Sequence, residues 1–182
     1  MGRGIMFSLE QKVVYPGCGV AEVCQIFEKT FGATSTVFYK LRLLSKELKE
    51  ATVLVSIDKI DELGIRPLSS TEHISTMLGT LTTPVRKIHQ QELTASNWNR
   101  RNKEYQNKLR TGSLKDISEI YRDLKYISQH KELSFGEKSL LSKTESLLVE
   151  EISAAEQLAE DKAIERLRSF FVPFMAQSQQ RL

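Results

Sequence analysis

The feature that most constrains this chain is a change of hydrophobic period near residue 68. Upstream of it, apolar residues come in short β-branched runs broken by turn residues; downstream they recur at i, i+3, i+4 and i+7. A helix cannot bury a period of two and a strand cannot bury a period of 3.6, so the chain must fold as two modules of different class. Residues 12–15 form a short β-branched run ended by Pro16-Gly17-Cys18-Gly19. Residues 20–27 follow with partial alternation, a polar turn is expected over 28–36, and 37–44 is the clearest strand. A charged turn over 46–50 leads to a strand at 52–57, and 64–67 closes the set. Four or five short antiparallel strands in so small a span imply a small curled β-barrel.

The second module, residues 69–182, is expected to be an all-helical bundle. Ser69 and Glu72 have the spacing of a capping box and open a helix to about residue 79. A connector over 81–96, interrupted by Pro84, has room for a helical turn at 86–91. Ser96 or Asn97 then caps a basic helix over about 97–111 that Gly112 stops. Ser113 opens the next helix, whose stripe is Ile117, Ile120, Tyr121, Leu124 and Ile127. A second capping box, Ser134 to Glu137, starts a long helix with Leu141, Leu148, Ile152 and Ala155 on one side, widened by Leu140 and Leu147. A last helix at 161–169 precedes a tail that should fray.

Charge is concentrated in the basic helix. Between residues 97 and 111 five cations (Arg100, Arg101, Lys103, Lys108 and Arg110) face one anion, Glu104, whereas the whole chain carries only +3. The only tryptophan, Trp98, stands at the start of this segment. At 100° per residue Trp98, Tyr105 and Leu109 share a face, so the indole reads either as the first core residue of an amphipathic stripe or as a ring presented beside cations. In the second case an aromatic wedge next to positive charge suits a phosphate backbone and an opened base step.

Other chemistries find little footing. No P-loop, G-x-S-x-G or H-E-x-x-H is present, and the three histidines are scattered, so neither an enzyme nor a metal site is expected. Cys18 and Cys24 lack the setting for a disulfide, no apolar run is long enough to span a bilayer, and no cofactor is implied. The start carries no secretory pattern, with Met6 a second candidate start, and a cytoplasmic monomer is expected.

At this level of detail the chain resembles the CarD/CdnL family of bacterial transcription regulators. The resemblance rests on Val13-Val14-Tyr15-Pro16 with Gly19-Val20, and Gly64-Ile65-Arg66-Pro67 closing the first module. In the second it rests on Asn97-Trp98-Asn99-Arg100-Arg101, then Tyr121-Arg122-Asp123-Leu124, then residues 133–138 with Leu141. It implies an α+β protein: a Tudor-like barrel over 1–68 that docks on the β subunit of RNA polymerase, then a helical DNA-interacting module over 69–182. It further implies that Trp98 wedges into the promoter minor groove at the upstream edge of the bubble, with Arg100, Arg101, Lys103 and Lys138 on phosphates and little sequence preference. For the polymerase contact it points to Lys29 and to Leu54, a position held by arginine in some members. A protein-only adaptor of the polymerase, with Trp98 buried in the helical core, is the competing reading.

Overall fold

The computed structural model describes residues 7–45, 51–83 and 95–171, which form two compact units divided between Leu68 and Ser69. The turns expected at 46–50 and 86–91 and the terminal tail lie outside the described residues.

In the first unit β1 (Lys12–Tyr15), β2 (Gly19–Phe31), β3 (Thr34–Leu43), β4 (Thr52–Ser56) and β5 (Arg66–Pro67) form one antiparallel sheet in the order β4-β3-β2-β1-β5. The sheet is open, not the expected closed barrel: among the described residues β4 and β5 do not pair. Closure needs edge strands long enough to meet at a consistent stagger. Here β4 has five residues and β5 only two, ending in a proline with no N–H to give. The open side is filled instead by a 3-10 turn (Ile57–Lys59) and α1 (Ile60–Leu63), neither apparent in the sequence pattern. Their Ile57 and Ile60 join Val13, Val23, Tyr39, Leu41 and Val55 in the core beneath the sheet.

The polar turn expected over 28–36 is also absent. β2 runs on to Phe31 and β3 begins at Thr34, leaving a two-residue loop in which Gly32 takes the left-handed conformation (φ 61°). Glycine at the first loop position fits such a turn at no steric cost. The polar residues that suggested a loop pair across the hairpin: Thr30 lies opposite Ser35, and the Ser35 hydroxyl donates to Glu28.

The second unit contains α2 (Thr71–Leu81), α3 (Ala95–Thr111), α4 (Leu114–Ser128), α5 (Phe135–Glu156) and α6 (Glu160–Ser169). α4 is the hub, packing on α2, α3 and α5, and α6 packs on α5. Its stripe Ile117, Ile120, Tyr121, Leu124 and Ile127 is buried as its spacing requires. Each aliphatic of that row contributes roughly 1.5–3 kcal/mol of burial. The caps differ by a residue or two from the sequence pattern. Ser70, not Ser69, caps α2 through the His73 N–H, leaving the Ser69 N–H to donate to the buried Glu151 carboxylate at 3.0 Å. α3 begins at Ala95, which places Ser96 and Asn97 in its first turn.

Candidate nucleic-acid interface

α3 presents an inward stripe at i, i+3, i+7 and i+11: Trp98, Arg101, Tyr105 and Leu109. Tyr105 and Leu109 are buried, Arg101 is 8% exposed and Trp98 is half-buried against the helical core. Arg101 thus belongs to the interior face, as its three-residue spacing from Trp98 indicates. Arg100 and Lys103 lie on the far side of α3 with Asn107 and Arg110, and all four are exposed. The five cations of this segment divide accordingly. Arg101 is buried in an ion pair, Lys108 bonds Glu119 of α4, Arg110 donates to Asn107 of its own helix, and Arg100 and Lys103 extend from the surface.

The indole has a built seat at the start of α5. A Cβ placed on Gly136 would stand 3.2 Å from Trp98 Cζ2, 3.6 Å from Cε2 and 3.7 Å from Nε1, so the ring lies directly on the glycine backbone. The next residue locks the two helices together. The Arg101 Nη2 donates to Glu137 Oε1 at 3.0 Å, and the Lys131 Nζ donates to Oε2 at 2.7 Å. Oε2 also accepts from the Ser134 N–H and hydroxyl, both at 2.9 Å, as one half of a complete capping box. Burial works to raise the Glu137 carboxyl, but the bonds from Lys131 and from the Ser134 backbone and hydroxyl outweigh it, and the group lies below its ordinary value. Farther along α3, Tyr105 is raised first by burial and then by the charge of Asp123, to which it hydrogen-bonds. Asp123 is itself raised, mainly by burial.

Two neighbours of Gly136 point outward. Phe135, the first residue of α5, is 89% exposed, the most exposed large apolar side chain among the described residues. Lys138 is exposed and reaches Glu132 at 2.8 Å, a surface pair that water screens. The structure therefore brings Trp98, Gly136, Arg101, Glu137 and Lys131 together. It sets Phe135 and Lys138 beside them and leaves Arg100 and Lys103 across α3, about 10–12 Å away by helix diameter. Phe135 was not singled out from sequence. Phe135 looked like one letter of a capping motif, and only its position outside the α5 stripe hinted that it is not core.

In the sheet unit the Lys29 ammonium lies 5.0 Å over the Phe31 ring, and Leu54 is 58% exposed on the edge strand β4. Among the described residues no cluster of three or more His, Cys, Asp or Glu is suited to hold a metal, and no helix is long and apolar enough to cross a membrane.

Gly136 gives a direct test of the seat. Gly136→Ala removes a glycine from the first turn of α5, a gain of less than about 1 kcal/mol, but crowds the indole at a distance few real contacts tolerate. The melting temperature should move by only a few degrees. The fluorescence of Trp98, the sole tryptophan, should shift to the red as the ring lifts towards water. Emission identical to the wild type would mean that the glycine does not set the ring's position.

In this helical unit a tryptophan-bearing basic helix is thus keyed onto the capping box of a second helix. Residues 85–168, all within the helical unit, match the family model described as CarD, C-terminal domain. Among curated proteins the chain is similar to "Putative transcription factor YdeB" of Bacillus subtilis (strain 168), with 25% identity over 158 residues, covering 85% of this chain and 95% of that protein.

Proposed function

We propose that this protein is a transcription regulator that docks on the β subunit of bacterial RNA polymerase through its sheet unit. Its helical unit then stabilises the open promoter complex, with Trp98 as a wedge at the upstream edge of the bubble. The observation that carries this reading is the half-exposed indole, seated on Gly136 in the same first turn of α5 that carries the exposed Phe135 and Lys138, in a unit that matches the CarD C-terminal domain model. A ring held on a rigid seat loses little entropy when a base step closes on it, and apolar wedges in a minor groove act in this way. Phe135 extends the apolar surface, and Lys138 lies on the same side. Arg100 and Lys103 meet phosphates of a duplex that reaches over the N-terminal end of α3. Arg101, tied to Glu137, positions α3 rather than meeting a phosphate.

Contacts of this kind carry no base-edge code, so binding is weak, salt-dependent and largely indifferent to sequence. Docking on polymerase raises the local concentration of the wedge. A protein that favours the open over the closed complex shifts that equilibrium by the difference in its two affinities, and no catalysis is required. The test is the lifetime of open complexes on a promoter whose bubble collapses readily, with and without the full chain. The protein should prolong it, and an unchanged lifetime would end this reading. In direct binding to duplex DNA, Arg100→Ala and Lys103→Ala should each reduce the slope of log affinity against log salt by about one. An unaltered slope would remove those two residues from the interface.

The partial burial of Trp98 against the helical core supports a second reading, a protein-only adaptor in which the indole is structural. Substitution at Trp98 separates the two.

A further inference from the structure

Phe135 has no structural task in the helix that it opens. With Ser134 as the cap of α5, Phe135 holds the first helical position, where an aromatic side chain brings no advantage in helix propensity. The apolar contact that often anchors the start of a helix comes from the residue before the cap, here Leu133, which is buried. Phe135 itself is almost fully exposed, and among the described residues no other ring packs on it. Its side chain removes almost no apolar surface from water, so it adds almost nothing to stability.

The surroundings of the ring decide what it can bind. The positions three, four and seven residues further along α5, which share its face, are Lys138, Ser139 and Ser142, all exposed. The phenyl therefore stands alone on a polar face, without the contiguous apolar area that a protein partner would bury. A single free ring among hydroxyls and a cation is instead what unpaired nucleic acid stacks on, because every base has a π face and the polar neighbours hold the backbone. Lys138 is tied to Glu132 by an exposed pair that contributes little, which leaves it available to a phosphate. The root of the ring is rigid, since the capping box and the bonds from Arg101 and Lys131 to Glu137 fix this turn of α5.

The ring is also rooted beside the seat of the indole. Trp98 lies on Gly136, the residue that follows Phe135. Consecutive Cα atoms are about 3.8 Å apart and successive bases of one strand about 3.4 Å, so the indole edge and the root of the phenyl are separated by the length of about one or two nucleotides. We infer that Phe135 is a second stacking residue, which takes an unpaired base of the separated DNA strands next to the base step that Trp98 enters. Resting on the function proposed above, this makes the ligand of the helical unit a junction of duplex and single strand rather than duplex alone. Trp98 marks the end of pairing and Phe135 holds the first base beyond it, so that base must leave a stack before it can pair again.

The experiment uses open complexes of bacterial RNA polymerase on a promoter whose bubble collapses readily, with 2-aminopurine at the unpaired positions of its upstream edge. Stacking dims the emission of this base. The full chain is compared as wild type, Phe135→Ala and Phe135→Tyr; the side chain is exposed, so both variants fold as the wild type does. The wild type should dim the emission and prolong the complex. Phe135→Ala should restore emission at one labelled position and shorten the lifetime about fivefold or more, whereas Phe135→Tyr, which keeps the stacking face, should match the wild type. If the wild type does not prolong the complex, the proposed function falls and this inference with it. If the wild type prolongs it and every labelled position emits equally with Phe135→Ala and with the wild type, this inference alone is overturned, whatever the lifetimes. It is likewise overturned if Phe135→Ala lowers the affinity of the chain for polymerase without DNA, because the ring would then meet protein.

Discussion

Trp98→Ala should abolish the prolongation of open-complex lifetime while leaving the chain folded. The indole is half-buried, so its truncation costs less than the roughly 3–5 kcal/mol of a fully buried tryptophan. The core of Ile74, Leu78, Leu124, Leu148 and Ile152 closes without it. At the bubble edge the loss is larger in effect, because stacking of a ring on a base contributes about 1–3 kcal/mol, or about 5–150-fold in an equilibrium. The variant should retain its helical circular dichroism and its affinity for polymerase, since neither depends on the ring. Trp98→Phe should keep part of the activity, having a smaller stacking face on the same seat. Under the adaptor reading both substitutions act only through stability. Equal lifetimes with the folded alanine variant and the wild type would therefore remove Trp98 as the wedge.

How legible this was in the sequence depends on the interaction concerned. The helical caps at Ser113 and Ser134 and the α4 stripe could be read directly, because both are local patterns of a few residues. The β2–β3 hairpin could not. Thr30, Ser35 and Thr36 look like loop residues until cross-strand partners are assigned, and pairing register is a non-local property. The open edge of the sheet was hidden for a similar reason, since short strands alone do not say whether the last one reaches the first. At the candidate interface, the buried stripe of α3 was written in the spacing of Trp98, Arg101, Tyr105 and Leu109. Arg101 was nevertheless grouped with its exposed neighbour Arg100, on the family resemblance of the Arg-Arg pair, although most charged side chains that are buried need a partner. That partner is Glu137, 36 residues away, whose carboxylate makes burial of a guanidinium tolerable. The seat for the indole is equally non-local, a glycine whose missing side chain matters only once α3 lies across it.

Glu137→Gln should destabilise the helical unit by about 3–5 kcal/mol at neutral pH, the cost of leaving a buried guanidinium without its counter-ion. Glu137 is 1% exposed and Arg101 8%, so solvent screening discounts this pair little; Lys131, whose side chain is 31% exposed, contributes less. Glutamine keeps the shape, but its amide group turns a donor towards an arrangement built of donors: Arg101, Lys131 and Ser134. The pH dependence has a definite sign. Because the folded-state carboxyl is held below the ordinary glutamate value of 4.5, the wild type has the full contribution above that value and loses it as pH falls through the folded-state value. The difference between wild type and Glu137→Gln should therefore be largest at pH 7 and shrink under acid, as the wild-type carboxyl takes up its proton. Urea unfolding of the full chain at pH 7 and in that acid range, followed by the fluorescence of Trp98, measures both. Equal stability at pH 7, or a gap that grows with acid, would show that this carboxylate does not hold α3 to α5. The same variant should also weaken the open-complex effect without touching a DNA-facing side chain, because the indole's seat and the arginine that aligns α3 converge on the first turn of one helix.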